Sequence, residues 1–177
     1  MKLLLSFVLA FFTVTVAAQP VRDEKTDWEK EQDLRNWKEV ELKLPAYPGD
    51  KGLIELQVQG TNRFRFFVDP ESVAVGPDGV VRYTFVARSP SGYTNVSFEG
   101  IRCATAEYKT FAFGNEGKWS ARDSEWRRIE SKSTNSWHYE LRVNYFCPDR
   151  RGIQTAAEGV NALRKGGHPD VSITRFR

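Results

Sequence analysis

The sequence predicts an α+β fold: a single antiparallel β-sheet of about six or seven strands with a C-terminal helix packed on one face, a closed barrel being the alternative. Three observations lead there. From Leu53 onward apolar residues recur with a period of two, as half-buried strands require. Turn clusters of Gly, Pro, Asn and Asp punctuate that stretch at short intervals. Near the C-terminus a capped segment changes to helical spacing. Aromatic residues make up 13% of the chain, which favours sheet over helix.

The elements follow in order. Ile54, Leu56 and Val58 alternate with Glu55, Gln57 and Gln59. After Gly60-Thr61-Asn62, Phe64, Phe66 and Val68 alternate with Arg63 and Arg65, so the two runs read as a hairpin. Asp69-Pro70 reads as a turn, Ser72 to Val75 as a short strand, and Gly76-Pro77-Asp78-Gly79 as a strong turn. Val80 to Arg88 is dense in β-branched and aromatic residues and closes at Ser89-Pro90-Ser91-Gly92. Tyr93 to Cys103 and Glu107 to Phe113 continue the pattern, with Asn115-Glu116-Gly117 after. Short turns between successive strands predict a meander.

Residues 137–147 read two ways. Trp137, Tyr139, Leu141, Val143, Tyr145 and Cys147 alternate with polar residues as in a strand, yet Trp137, Leu141 and Tyr145 also fall at helical spacing. Periodicity leaves both open. The last helix is plainer. Thr155-Ala156-Ala157-Glu158 is a capping box, Ala156, Val160 and Leu163 share a face, and Gly166 suits a left-handed exit. Gly159 inside it costs about 1 kcal/mol and lets the helix lie close to the sheet.

Domain organisation is set at the N-terminus. Lys2, the apolar run Leu3 to Phe12 and the small residues Val16-Ala17-Ala18 have the order of a secretory signal. The expectation is a signal peptide over 1–18, cleavage after Ala18 and a periplasmic mature chain. Residues 19–36 are charged and poor in apolar groups, so they read as a flexible lead-in, with room for one short helix. Residues 37–177 form a single globular domain, to which Trp37 docks the lead-in. No later stretch is long and apolar enough to span a bilayer.

The formal net charge of +3 is too small to imply nucleic acid. It is unevenly spread. Residues 19–100 carry 11 basic and 14 acidic side chains, residues 101–177 carry 14 and 9. A basic C-terminal half suits an anionic envelope polymer, or a second envelope protein, as partner. The two cysteines, Cys103 and Cys147, read as a disulfide in an exported protein.

Several of these segments recur in one family. Phe67-Val68-Asp69 with Ser72-Val73, the run Val75-Gly76-Pro77-Asp78-Gly79-Val80-Val81-Arg82-Tyr83-Thr84, the run Asn95 to Cys103 and Tyr145-Phe146-Cys147-Pro148 stand in the order they have there. On these, the chain resembles the cryptic neisserial protein-like family of exported proteobacterial proteins, from about Trp37 to Gly166. The resemblance implies a periplasmic protein, in some members a lipoprotein. The cysteine that lipid attachment needs is missing here, so that feature does not carry over. No active site comes with the resemblance.

The residues themselves suggest no catalytic, cofactor-binding or metal site. A hydrolytic triad needs a nucleophile placed on a histidine, and only His138 and His168 exist, without a nucleophile motif. His168 reads as a surface residue of the exit loop. Glu99 is a candidate carboxylate for glycan chemistry, with an Arg102 ion pair as its simpler explanation. Trp119, Arg122, Trp126, Arg127 and Arg128 combine aromatic faces with charge, which suits sugar or anionic-polymer binding, or equally a loop anchored by its tryptophans. The leading expectation is a non-catalytic binding or interaction module for a cell-envelope component. The alternatives are a carboxylate-dependent enzyme on cell-wall glycan and an inhibitor of a secreted lysozyme.

Overall fold

A computed structural model describes residues 25–58, 63–130 and 137–171. The signal segment, the start of the lead-in and the Gly60-Thr61-Asn62 turn lie outside the described residues. The chain divides into two units, Met1–Trp37 and Lys38–Arg177. In the first, α1 (Asp27–Arg35) opens with a Thr26–Glu29 capping box and buries none of its residues. Its surface is laced instead with ion pairs such as Glu31–Arg35 at 2.6 Å.

The second unit is built on an open antiparallel sheet. Its strands are β1 (Ile54–Leu56), β2 (Arg65–Val75), β3 (Val80–Arg88), β4 (Thr94–Arg102), β5 (Glu107–Asn115), β6 (Lys118–Ala121) and β7 (Arg127–Arg128). The order β1 to β6 is sequential, and β7 shares the outer edge of β5 with β6. The expected meander is therefore present, and the closed barrel is not: β1 and β6 end an open sheet. Glycine sits where the tight hairpins need positive φ, at Gly79 (73°) and Gly92 (87°).

Asp69-Pro70 does not end a strand. β2 runs through to Val75, and the register skips from Asp69↔Thr84 to Ala74↔Arg82. Pro70 offers no amide to the ladder. Ser72 repairs the gap: its Oγ donates to the Asp69 carbonyl at 2.7 Å and accepts from the Thr84 amide at 2.7 Å. A bulge replaces the turn expected from composition.

After the sheet come α2 (Trp137–Glu140), a π-helical stretch Leu141–Phe146, a short 3-10 turn Pro148–Arg150 and α3 (Ala156–Lys165). The ambiguous 137–147 segment is thus helical, with a widened second half. The Cys147 amide donates to the carbonyl of Arg142, five residues back, at 3.0 Å. The wider turn sends Leu141, Tyr145 and Phe146 all into the core. Neither a strict strand nor a strict α-helix does that.

Both faces of the sheet are covered, so β3 is buried along almost its whole length. One face carries Val81, Tyr83, Phe85 and Ile101, packed against Leu141, Phe146, Ile153 and Leu163. The other is covered by chain without regular structure. Leu42 and Leu44 pack with Phe98, Phe111 and Ala112, and Tyr47 and Leu53 with Phe67, Val86 and Val96.

Gly100 lies within β4. It keeps register opposite Lys109, and the irregularity lies beside it: Phe98 pairs with Ala112 and Glu99 with Thr110, leaving Phe111 as the extra residue. A Cβ at Gly100 would stand 2.8 Å from both the Phe111 ring and Val80 Cγ1. The missing side chain is what admits the Phe111 ring. Gly100→Val is accordingly expected to lower stability by about 1–3 kcal/mol through overpacking. A denaturant melt checks it, and an unchanged midpoint would remove this role for Gly100.

Candidate functional site

β4 and β3 face α2 across a buried carboxylate. Strand alternation places Ser97 and Glu99 on the helix-covered side, with Tyr83 directly opposite Glu99 in the ladder. α2 supplies Trp137 and His138 from above. Ser97 Oγ donates to Glu99 Oε1 at 2.7 Å. Oε2 accepts from His138 Nε2 at 2.9 Å, from the Tyr83 hydroxyl at 3.1 Å and from Trp137 Nε1 at 3.5 Å. His138 also stacks on Tyr108 of β5, with ring centres 3.6 Å apart.

Glu99 is 3% exposed and His138 8%. Burial alone raises the Glu99 carboxyl, but the His138 imidazole and then the Ser97 and Tyr83 hydroxyls outweigh it, so the group is held below its ordinary range. Tyr83 is pushed well above its ordinary value, by burial first and then by the Glu99 charge. A charged carboxylate in the core is tolerable because each oxygen is hydrogen-bonded.

The chemistry of this cluster is limited by its order. A nucleophile must give its proton to a histidine. Here the acid stands in the middle: Ser97 donates to Glu99, and His138 bonds the other oxygen of the same carboxylate. Glycosidic acid–base work needs an open carboxylate, and Glu99 is enclosed. What the cluster does is pin α2 onto the sheet.

Arg102 takes no part in it. Three residues along β4 it falls on the other face, where NH1 lies 3.8 Å from Glu107 Oε2. The expected Glu99–Arg102 pair is therefore absent, and a histidine 39 residues away takes the place of the arginine three residues away.

The Trp/Arg stretch splits by residue type. Trp119 Nε1 donates to the Pro45 carbonyl at 2.9 Å, and Trp126 Nε1 to Glu39 Oε2 at 3.0 Å. Lys109 Nζ meets the same Glu39 oxygen at 3.0 Å. Nearby, the buried Asp78–Arg82 pair accepts the Val40 amide at 3.2 Å through Asp78. Burial opposes the Asp78 charge, and Arg82 and the backbone amides overcome it, lowering its pKa. Together these bonds clamp residues 39–45 over the sheet, so the indoles are anchors.

The arginines stay outside. Arg122 lies over the half-exposed Phe113 ring at 5.3 Å, and Arg127 over Tyr108 at 4.9 Å. Both line a surface cavity of about 390 Å³ with Phe113, Asp123, Ser124 and Glu125. Arg128 is exposed on β7 opposite Glu107.

Cys103 and Cys147 are bonded, with Cα atoms 5.5 Å apart, tying the end of β4 to the end of the π-helical stretch. His168 is not at the surface. It is 6% exposed, its Nε2 lies 3.0 Å from Glu158 Oε1, and its amide donates to the Asn144 carbonyl. Glu158 in turn accepts from the Gln154 amide, one residue before the cap, while Thr155 Oγ1 accepts from the Glu158 amide. Among the described residues, no cluster of three or more His, Cys, Asp or Glu could hold a metal, and no helix is long and apolar enough to cross a membrane.

Comparison with known proteins adds a family. The model of the CNP1-like family matches residues 32–164. A relative in Neisseria gonorrhoeae, cryptic neisserial protein 1, is 28% identical over 127 residues, which is 62% of this chain and 63% of that protein. The chain thus spans less than two thirds of that relative's length. No solved structure matches. The family match runs from α1 almost to the end of α3, through every strand of the sheet, both cysteines and the Glu99–His138 cluster, and the chain belongs to the CNP1-like family.

Proposed function

We propose that the chain is a non-catalytic periplasmic binding module for an anionic cell-envelope component, reached after export and loss of residues 1–18. The observation that carries this reading is the division of labour along residues 118–128, whose strands β6 and β7 pair with β5. The tryptophans there are spent on anchoring, and Arg122 and Arg127 are left on a surface cavity beside an exposed aromatic ring. Guanidinium groups held over rings are partly desolvated and pre-oriented, which suits oxyanions on a sugar backbone. The basic balance of residues 101–177 favours the same kind of ligand. Glu99, the best carboxylate for the enzymatic alternative, is sealed in the core and occupied by four donors.

The test is the Arg122/Arg127/Arg128→Ala triple variant against purified lipopolysaccharide and peptidoglycan fractions at low salt. Exposed arginines contribute little to stability, so the variant should fold. Its binding should fall at least about tenfold, and parental binding should weaken as salt rises. A folded variant that binds like the parent would exclude this surface.

A further inference from the structure

A second cavity lies elsewhere, beside the π-helical stretch. Its volume is about 410 Å³, within the range of small-ligand sites. Three parts of the chain wall it. Tyr139, Arg142 and Val143 come from α2 and the π-helical stretch, Cys147, Asp149 and Arg150 from the turn that follows, and Val171 from the C-terminal segment. Positions 139, 142 and 143 share one helical face. Arg142 and Cys147 are one π-turn apart, joined by the 3.0 Å bond from the Cys147 amide. Arg142 and Cys147 thus stand at the two ends of one widened turn of that wall. The disulfide to Cys103 fixes the Cys147 end to β4.

The turn carries a second signal. Asp149 and Arg150 have φ of 50° and 66°, a region that favours glycine. An aspartate tolerates that region, but at Arg150 the backbone alone would favour glycine. The chain has an acid and a guanidinium there, and both line the cavity. Backbone strain kept at a cavity wall is a mark of function.

We propose that this cavity binds a small ligand through an oxyanion, a phosphoryl or carboxylate group, held between Arg142 and Arg150, with Tyr139 as an aromatic wall for its body. Two arginines line this one cavity, and guanidinium forks suit bidentate oxyanion recognition. Asp149 beside them limits the charge excess, so a singly or doubly charged small ligand fits better than a polyanion. This site shares no residue with the Arg122–Arg127 cavity and stands whether or not that surface binds polymer.

Amide chemical-shift titration of the purified chain tests it, with glycerol 3-phosphate as the phosphoryl probe and glucuronate as the carboxylate probe. At least one should give saturable shifts confined to residues 139–150 and the vicinity of Val171, and the stronger arm names the anion. Arg150→Glu, at an exposed position, should weaken that binding by about tenfold or more. Asp149→Asn should leave it unchanged or tighten it. The undisturbed amide spectrum of the sheet reports that both variants fold. Absence of saturable shifts with either probe, shifts scattered over the basic surface, or parental affinity in folded Arg150→Glu would overturn the proposal.

Discussion

Glu99→Ala is expected to lower stability by about 3–5 kcal/mol, the usual cost of removing one partner from a buried, hydrogen-bonded network around a charged group. The substitution deletes a single carboxylate, but it leaves His138, Tyr83, Ser97 and Trp137 without their shared acceptor inside the core. For a chain of this size that corresponds to a fall in Tm of roughly 10 °C or more. Glu99→Gln, which keeps the shape and one acceptor, should cost less. The pH dependence has a definite sign. The folded carboxyl is held below its ordinary value. Its contribution is therefore fully present above the unfolded value of about 4.3 and is lost as pH falls through the folded one. Denaturant melts between neutral and acid pH should show a shallower acid loss in Glu99→Gln than in the parent. A cost below about 1 kcal/mol for Glu99→Ala would mean that the cluster does not hold α2 to the sheet.

Cys103→Ser carries the second large effect. The bridge closes a loop with a sequence separation of 44 residues, for which the chain-entropy treatment gives about 4 kcal/mol. It also ends the π-helical stretch, so its loss should free that stretch as well as the denatured chain. The expected result is a loss of about 2–5 kcal/mol, with faster amide exchange at Leu141–Phe146 than in the rest of the sheet-covering layer. Unchanged melting of the variant, or two free thiols in exported parent protein, would contradict it.

These effects show what could and could not be read from the sequence. The meander was legible because hairpin turns and period-two alternation are local, and Gly79 and Gly92 stand where the turn geometry needs them. α3 was legible for the same reason, through Thr155 and Gly166. The bulge at Asp69–Ala74 was hidden, because the Ser72 hydroxyl that repairs it looks like any turn serine. The Glu99–His138 contact joins residues 39 apart, and a carboxylate has a nearer arginine to choose in sequence. What decides against Arg102 is strand parity, which points it to the other face. The cover made by residues 39–53 had no periodic signal at all, since extended chain held by side-chain bonds follows no repeat. The Trp/Arg stretch showed both of its roles in composition. Only the placement of Glu39 and Pro45 separates the anchoring indoles from the outward arginines.

The proposed binding surface is tested most directly by hydrogen exchange of the purified chain with and without saturating lipopolysaccharide at low salt. The expected result is slowed exchange over β5, β6 and residues 122–128, fading as salt is raised. No protection with bound polymer, or protection confined to the opposite end of the sheet around β1 and β2, would contradict it.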